Sequence, residues 1–228
     1  MIQVILVALR ATVFTLVLTG ILYPLAMTGI AQVVFPSKAN GSLVEQGGKV
    51  VGSELIGQNF ANPGYFQPRP SAAGQNGYDP TASGGSNLGP TSNKLKDRIG
   101  GDLERLRKDN PDAPAEVPDE LVTASASGLD PHLSPGAAAW QIPRIAAWRH
   151  IAPDRIKPIL DGAIEGRDLG VLGEPRVNVL LLNVALDQHF GQPAPAPAPP
   201  PSGSAAAPAG SGNAAPAAPV PPAPNPLH

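Results

Sequence analysis

Residues 11–31 read ATVFTLVLTGILYPLAMTGIA, and this stretch decides how the chain is organised. It contains no charged side chain, and the uncharged run continues to Ser37. About 20 apolar residues are enough for a helix to cross the ~30 Å hydrocarbon core of a bilayer. We therefore predict a retained transmembrane helix over residues 11–35, preceded by a short N-terminus at residues 1–10.

A cleaved secretory signal is the alternative interpretation of this segment. Signal peptides have apolar regions of about 7–15 residues that end in a small-x-small cleavage site. The segment here is longer and contains Pro24, which favours a retained anchor. Arg10 lies before it, whereas Lys38 and Lys49 follow, so the positive charges only weakly favour a cytoplasmic N-terminus.

Small and hydroxylated residues occur along the predicted span. Such residues allow the backbone of a second membrane helix to approach closely. The sequence therefore predicts a helix-packing surface that contains Thr15, Thr19, Gly20 and Thr28.

Glycine and proline are unevenly distributed. The 228 residues include 25 Gly and 29 Pro, and most residues from Gln192 onward are Pro, Ala, Gly or Ser. A segment without charge or bulky side chains buries too little area to offset its ordering entropy. We predict a disordered Pro/Ala-rich tail at residues 192–228 that serves as a spacer, and one soluble domain at residues 36–191.

Charge and cysteine content exclude several functions. The net charge is −2 and the basic residues are scattered, which argues against a nucleic-acid partner. The absence of cysteine excludes disulfides, thiolate nucleophiles and cysteine metal sites. The four histidines lack metal-ligand spacing, so we predict no metal site.

The start of the soluble region predicts a hairpin followed by a long loop. Residues 42–45 and 49–51 flank a Gln-Gly-Gly turn, in which glycine accepts positive φ. Residues 57–90 have no helical or strand period and are rich in Gly, Pro, Asn and Ser. We expect this loop to be ordered, because it contains the anchoring side chains Tyr65, Phe66, Arg69 and Tyr78.

The remainder predicts an α+β domain. Apolar periodicity indicates helices over residues 91–108 and 154–164, and Leu121-Val122 resembles the start of a strand. Ser134 is suited to cap a helix beginning at Pro135, which Pro143 would bend or restart. Residues 177–190 fit a buried strand or, as we favour, a helix that ends at Gly191.

A loop containing Ser125, Ser127, Asp130 and His132 raises the alternative of a membrane-anchored hydrolase. Serine hydrolases need the imidazole hydrogen-bonded to the hydroxyl, and these groups usually come from distant chain positions. Asp130-Pro131 is more simply a turn in which Asp accepts backbone hydrogen bonds. We therefore expect no catalytic residues. The Pro/Ala tail suggests a further alternative, a cell-wall-binding module.

Residues 83–90 form a glycine-rich segment, SGGSNLGP. Backbone amides in such turns can bind anions. The segment lacks the Lys and hydroxyl ending of a P-loop, so we favour a tight loop that packs its backbone against the domain.

Five longer motifs resemble one known family. They are GSELIGQNF, YFQPRPSA, SGGSNLGPTSNKL, TASASGLDPHLSP and GEPRVNVLLLNVALD, and in this order they resemble the C subunit of the Kdp-type potassium-transporting ATPase. The resemblance covers residues 10–190 and leaves out the Pro/Ala tail.

The resemblance implies an accessory, non-catalytic subunit of a high-affinity ATP-driven potassium importer in the bacterial inner membrane. Its implied partners are a channel-like potassium-binding subunit, a P-type ATPase subunit and a small single-span subunit, besides membrane lipid. The soluble domain would be periplasmic and the N-terminus cytoplasmic. ATP and potassium would be handled by the complex, and the subunit would act as a catalytic chaperone that raises the ATP affinity of the ATPase subunit.

Three loops within the resemblance are our candidates for partner contact or for shaping the domain. Their residues are Arg69, Pro70 and Ser71; Ser83, Gly84, Gly85, Ser86 and Asn87; and Thr123, Ser125, Asp130 and His132.

Overall fold

The computed structural model describes residues 1–195. The predicted disordered tail, residues 192–228, therefore lies outside the described residues except for its first four positions. The described part has an N-terminal apolar helix followed by helices and small sheets, so the predicted α+β class is confirmed.

The N-terminal helix runs from Ile2 to Val34 and is long and apolar enough to cross a membrane. It consists of α1 (Ile2–Val17), a π-helical turn (Leu18–Leu22) and α2 (Tyr23–Val34). The π turn ends at Leu22, two residues before Pro24, whose missing N–H removes one i→i−4 hydrogen bond and so lowers the energetic cost of the wider turn.

The N-terminal helix begins before the span predicted at residues 11–35. Residues 2–9 are uncharged and contain no helix breaker, so the helix extends past Arg10 rather than starting after it. All of its residues except Ala31 are exposed within the chain. An apolar helix that is exposed in this way fits surroundings of lipid or of partner helices.

A short helix and a hairpin connect the N-terminal helix to the domain. Helix α3 spans Pro36–Ala39, and strands β1 (Leu43–Gln46) and β2 (Lys49–Ser53) pair in antiparallel fashion. Gly47 and Gly48 have φ of 59° and 76°, as the tight turn requires. The predicted hairpin is confirmed.

The predicted long loop is also confirmed, because the described chain has no helix or strand between Ser53 and Asn93. Phe66 is fully buried, and the Tyr65 hydroxyl donates to Asp187 Oδ2 at 2.7 Å. The Tyr78 hydroxyl donates to the backbone carbonyl of Arg69. These anchors hold the loop against the domain, as expected.

Helix α4 (Asn93–Asp109) matches the periodicity at residues 91–108 and is capped by Ser92. The strand expected at Leu121-Val122 is wrong. A short 3-10 helix, Asp119–Leu121, follows Pro118, and the Val122 amide donates to the Asp119 carbonyl. The acidic first turn and the preceding proline favour the helical turn over an extended chain.

Three helices and a three-stranded antiparallel sheet complete the domain. The helices are α5 (Pro135–Arg149), α6 (Pro153–Gly162) and α7 (Val179–Phe190), and the strands β3 (His132–Leu133), β4 (Ile164–Glu165) and β5 (Arg176–Asn178) pair in the order β3-β5-β4. Their fully buried side chains form the core, with Leu133, Ile145, Ile156, Val177, Leu182 and Leu186 at its centre.

The caps of these helices follow the sequence. Ser134 accepts a hydrogen bond from the Ala137 amide at the start of α5, and α5 continues through Pro143. Of the bend or restart predicted at Pro143, the restart is therefore wrong. Gly191 ends α7 with φ of 76°. The segment at residues 177–190 begins as β5 and continues as α7 from the cap residue Asn178, so each interpretation holds for one part.

Candidate functional site at three converging loops

Two of the three candidate loops lie side by side. The Ser71 hydroxyl donates to the Gly128 carbonyl at 2.6 Å, and the Ser125 amide donates to the Pro70 carbonyl at 3.3 Å. Each bond joins positions more than 50 residues apart in the chain. The loops that the sequence identified separately therefore share one surface. We call this surface the loop cluster (residues 69–71, 83–87 and 125–132).

An ion pair forms one edge of the loop cluster. Arg69 Nη1 lies 3.2 Å from Asp130 Oδ2, and the other oxygen of Asp130 accepts the His132 amide at 3.0 Å. The predicted Asp130-Pro131 turn is thus confirmed. Burial, with Asp130 nearby, raises the pKa of Tyr78, so its hydroxyl keeps the proton that it donates to the Arg69 carbonyl up to a higher pH than a free tyrosine does.

The glycine-rich segment packs its backbone against the same loop. The Gly84 amide and the Ser83 hydroxyl both donate to the Ser127 carbonyl, at 2.8 and 2.9 Å. A Cβ added to Gly85 would lie 3.0 Å from the Ala126 carbonyl oxygen. The Gly84 amide is therefore bonded within the domain, as the packing interpretation expects, whereas Ser86 is half-buried and Asn87 is exposed.

Gly128 allows the three loops to meet. Its φ is +67°, and a Cβ there would lie 2.7 Å from both the Ala73 methyl and the Gly84 carbonyl oxygen. Both the conformation and the space require glycine. Thr123, by contrast, bonds back to the Asp119 carbonyl through its amide and hydroxyl, so it closes the neighbouring 3-10 turn.

The hydroxyls of the hydrolase hypothesis have structural partners. Buried Ser125 accepts the Gly128 amide at 2.8 Å, and Ser127 accepts the Leu129 amide at 3.1 Å. Within residues 1–195, neither hydroxyl is hydrogen-bonded to His132, whose Nδ1 lies 3.8 Å from Asp130 Oδ1. The arrangement lacks the nucleophile-to-base contact that acyl transfer needs and instead stabilises the turn.

A cleft of about 950 Å³ adjoins the loop cluster, and its lining includes Arg69, Pro70 and Ser71. Gln141 and Arg144 of α5 also line it. The Gln141 side chain exchanges two hydrogen bonds with the backbone of Gln67, at 2.8 and 2.9 Å. These bonds fix the start of the first loop against α5.

Arg144 holds the same loop and was not among the predicted residues. Its guanidinium donates to the carbonyls of Pro63 and Tyr65 at 2.8 and 3.1 Å, and burial lowers its pKa to about 10. The sequence could have identified Arg144 from its spacing. Gln141 and Arg144 lie three residues apart within a mostly apolar helix segment, and this spacing places both polar side chains on the same buried helix face.

A second set of hydrogen bonds joins the N-terminal helix to the hairpin. Gln32, near the helix end, exchanges two amide hydrogen bonds with Asn40 at 3.2 and 3.3 Å. The Ser53 hydroxyl of β2 donates to the Gly41 carbonyl at 2.6 Å. The helix end, the turn after α3 and the hairpin are thus held together.

The same set continues into the domain core. The Glu54 amide donates to the carbonyl of buried Ser42 at 3.0 Å, and Asn178 Nδ2 donates to the Glu54 carbonyl at 2.8 Å. Asn178 Oδ1 accepts the Leu181 amide and caps α7. We call the residues from Gln32 through Asn40, Ser42, Ser53 and Glu54 to Asn178 the membrane-to-core connection.

The predicted membrane-packing residues lie on exposed parts of the N-terminal helix. Thr15 and Thr19 donate their hydroxyls to the carbonyls four residues earlier, and Gly20 has open space where a side chain would project. Thr28 is likewise exposed. The side chains available to a second helix are therefore short, and the hydroxyls of Thr15 and Thr19 already have hydrogen-bond acceptors within the N-terminal helix.

Comparison with known proteins gives one consistent result. The profile of the KdpC family, described as the K⁺-transporting ATPase c chain, matches residues 5–188. Proteins named potassium-transporting ATPase KdpC subunit are similar over most of the chain. The protein of Myxococcus xanthus is 65% identical over 187 residues, which is 82% of this chain and 88% of that protein.

Two further proteins of the same name extend the comparison. The protein of Methylobacterium nodulans is 54% identical over 188 residues, covering 77% of this chain and 92% of its own length. The protein of Dechloromonas aromatica is 53% identical over 169 residues, covering 74% and 88%.

Proposed function

Because this chain belongs to the KdpC family, the c chains of K⁺-transporting ATPases, we propose that it works as an accessory, non-catalytic subunit of a high-affinity ATP-driven potassium importer. It stabilises the complex and raises the affinity of the P-type ATPase subunit for ATP. The observation that carries the proposal is the membrane-to-core connection, which ties the membrane helix to the soluble domain through hydrogen bonds.

The proposed partners are a channel-like potassium-binding subunit, the P-type ATPase subunit and a small single-span subunit. The exposed surface around Thr15, Thr19, Gly20 and Thr28 contacts their helices within the bacterial inner membrane. The loop cluster contacts them outside the bilayer, because its backbone is already folded against the domain and loses little entropy on binding.

The soluble domain lies on the periplasmic side in this proposal, with the N-terminus in the cytoplasm. ATP then binds on the opposite side of the membrane from the domain. The effect on ATP is therefore a coupling free energy transmitted through the N-terminal helix and its neighbours, and a typical coupling changes affinity about 5- to 150-fold.

The membrane-to-core connection provides the physical route for this coupling. When the loop cluster and α7 contact a partner differently in two states of the transporter, the bonds from Asn178 through Glu54 and Ser53 carry the displacement to Gln32. The subunit thereby favours one conformation of the complex without chemistry of its own.

Reconstituted complexes test the proposal. With the subunit present, the KM for ATP in potassium-dependent hydrolysis should fall at least about fivefold relative to the complex lacking it. Replacing His132 by Ala should leave hydrolysis largely intact. Unchanged ATP dependence on omission of the subunit would refute the chaperone role.

Topology is tested in intact cells. The chain contains no cysteine, so a single Lys157→Cys variant reports the side on which the domain lies. A membrane-impermeant maleimide should label it from outside. Protection until the inner membrane is permeabilised would place the domain in the cytoplasm and contradict this part of the proposal.

A further inference from the structure

Three aliphatic side chains are exposed at the tip of the connection between β4 and β5. Leu169 is 90% exposed, Val171 74% and Leu172 58%. We call these three residues the apolar tip. Single exposed aliphatic residues are common on protein surfaces, whereas a cluster on a folded loop indicates an interaction surface.

The apolar tip is held in one conformation. Asp168 and Leu172 exchange two backbone hydrogen bonds of 2.9 Å each, and Arg167 pairs with Glu174 across the base of the loop at 2.9 Å. Leu169 has φ of 54°, a left-handed conformation that bulky residues rarely adopt. A loop held in this way presents its apolar side chains on a backbone that is already ordered before binding.

The charges around the apolar tip indicate what it contacts. Arg167 pairs with Glu174, and Arg176 pairs with Glu165 at 3.0 Å and Asp168 at 3.6 Å. Arg167 in the connection and Arg176 at the start of β5 are thus matched by three carboxylates, which leaves one excess negative charge. Anionic lipid surfaces attract unmatched Lys and Arg, whereas protein interfaces have an apolar centre depleted of charge.

We propose that the apolar tip inserts into an apolar pocket on a neighbouring subunit of the same complex, and that the rim of this pocket complements the one excess negative charge beside the tip. This inference rests on the proposed function and adds a contact separate from the loop cluster. The preformed loop acts as a knob, and Leu169, as its most exposed member, makes the central contact.

Cysteine labelling locates the contact. Leu169→Cys and Val171→Cys variants of the full chain should react with a small maleimide at least about tenfold more slowly in the assembled complex than in the isolated chain, because the pocket covers them. Lys157→Cys, on the polar face of α6, serves as the matched control and should react at equal rates in both. The isolated chain is measured both in detergent and in phospholipid vesicles.

Each other outcome overturns the proposal. Protection in vesicles without the other subunits would assign the tip to lipid, and protection in detergent alone would assign it to a second copy of this chain. Fast labelling at both tip positions in a complex that retains the subunit would contradict the proposed pocket contact and leave the proposed function intact. Failure of the wild-type chain to co-purify with the ATPase subunit would overturn both.

Polar substitution tests the contribution of the contact. Asn adopts left-handed φ readily, so Leu169→Asn removes the aliphatic side chain and keeps the loop conformation. We expect the variant to dissociate from the complex about tenfold faster, and Leu169→Met to behave like the wild type. Leu55→Asn, at a residue 62% exposed outside the tip, is the control. Equal dissociation of all three variants would contradict the inference.

Discussion

Replacing Asn178 separates two roles of one buried side chain. Asn178 is 4% exposed, caps α7 through the Leu181 amide at 3.2 Å and bonds the Glu54 carbonyl at 2.8 Å. Serine is an equally good N-cap but is too short to reach Glu54, whereas alanine provides neither bond. Asn178→Ser therefore breaks the membrane-to-core connection and keeps the cap, and Asn178→Ala loses both.

The magnitudes follow from these contacts. Loss of the cap costs about 1 kcal/mol and loss of the second hydrogen bond about 1 kcal/mol, so unfolding free energies should fall by about 1 kcal/mol for Ser and about 2 kcal/mol for Ala. With a denaturant slope of about 2 kcal/mol per M in urea, the midpoints should fall by roughly 0.5 M and 1 M.

Urea titration of the full chain in detergent checks these values. The two tryptophans of the chain, Trp140 and Trp148, both lie in α5, so their fluorescence reports the domain and not the N-terminal helix. Ser134→Ala is the matched control, because it removes the cap of α5 and the exposed hydrogen bond to Glu120 without touching the connection. Its midpoint should fall by roughly 0.5–1 M.

The functional assay is ATP hydrolysis by the reconstituted complex. If about 1 kcal/mol of coupling passes through the connection, Asn178→Ser should raise the KM for ATP about fivefold, and Ser134→Ala should leave it unchanged. A KM for Asn178→Ser within twofold of wild type, together with the expected loss of stability, would refute the connection as the route of coupling. Equal midpoints for the Ser and Ala variants would refute the division between cap and connection.

Three further predictions concern the soluble domain. Gly128→Ala should lower the free energy of unfolding by about 2 kcal/mol or more, because φ is +67° and the added Cβ would lie 2.7 Å from two atoms. Gly100→Ala, in open space within α4, should raise the free energy of unfolding by roughly 0.5–1 kcal/mol. The urea midpoints of the two variants check both values. Arg149→Met should cost about 3–5 kcal/mol, because Arg149 and Asp187 form a 2.9 Å ion pair with side chains only 3% and 6% exposed; the double variant with Asp187→Leu should recover part of the loss in a double-mutant cycle. Burial and the hydrogen bond to Asp187 raise the pKa of Tyr65 from 10.0 to about 12, so the unfolded chain releases the phenolic proton first and stability falls as pH rises between about 10 and 12. Tyr65→Phe should reduce that fall in unfolding midpoints measured across this range, and Tyr78, whose pKa is also raised, should account for the remainder.

Local signals in the sequence predicted the elements that depend on neighbouring residues. The hairpin follows from two glycines between short apolar segments, and α5 follows from Ser134 and Pro135. The strand expected at Leu121 was wrong because β-propensity is weak beside the helical turn that Pro118 and Asp119 begin. The predicted restart at Pro143 was wrong because packing of α5 against the core tolerates one missing hydrogen bond.

The composition of the candidate site was predictable, and its assembly was not. The motifs identified residues 69–71, 83–90 and 123–132 as separate loops. Their convergence depends on bonds such as Ser71 to Gly128, which span 57 positions and have no local signature. Arg144 was missed for the same reason, because its partners at Pro63 and Tyr65 lie about 80 positions away.

The sequence by itself determined that the chain has a helix long and apolar enough to cross a membrane, an α+β domain and the motifs of one transporter family, because apolar length, local capping and residue spacing depend on consecutive positions. Only the tertiary structure decided that Asn178 bonds Glu54 across 124 positions, that three loops share one surface and that Leu169 is held outward. These arrangements arise from burial of the common core, which brings distant residues together, and no local pattern encodes that proximity.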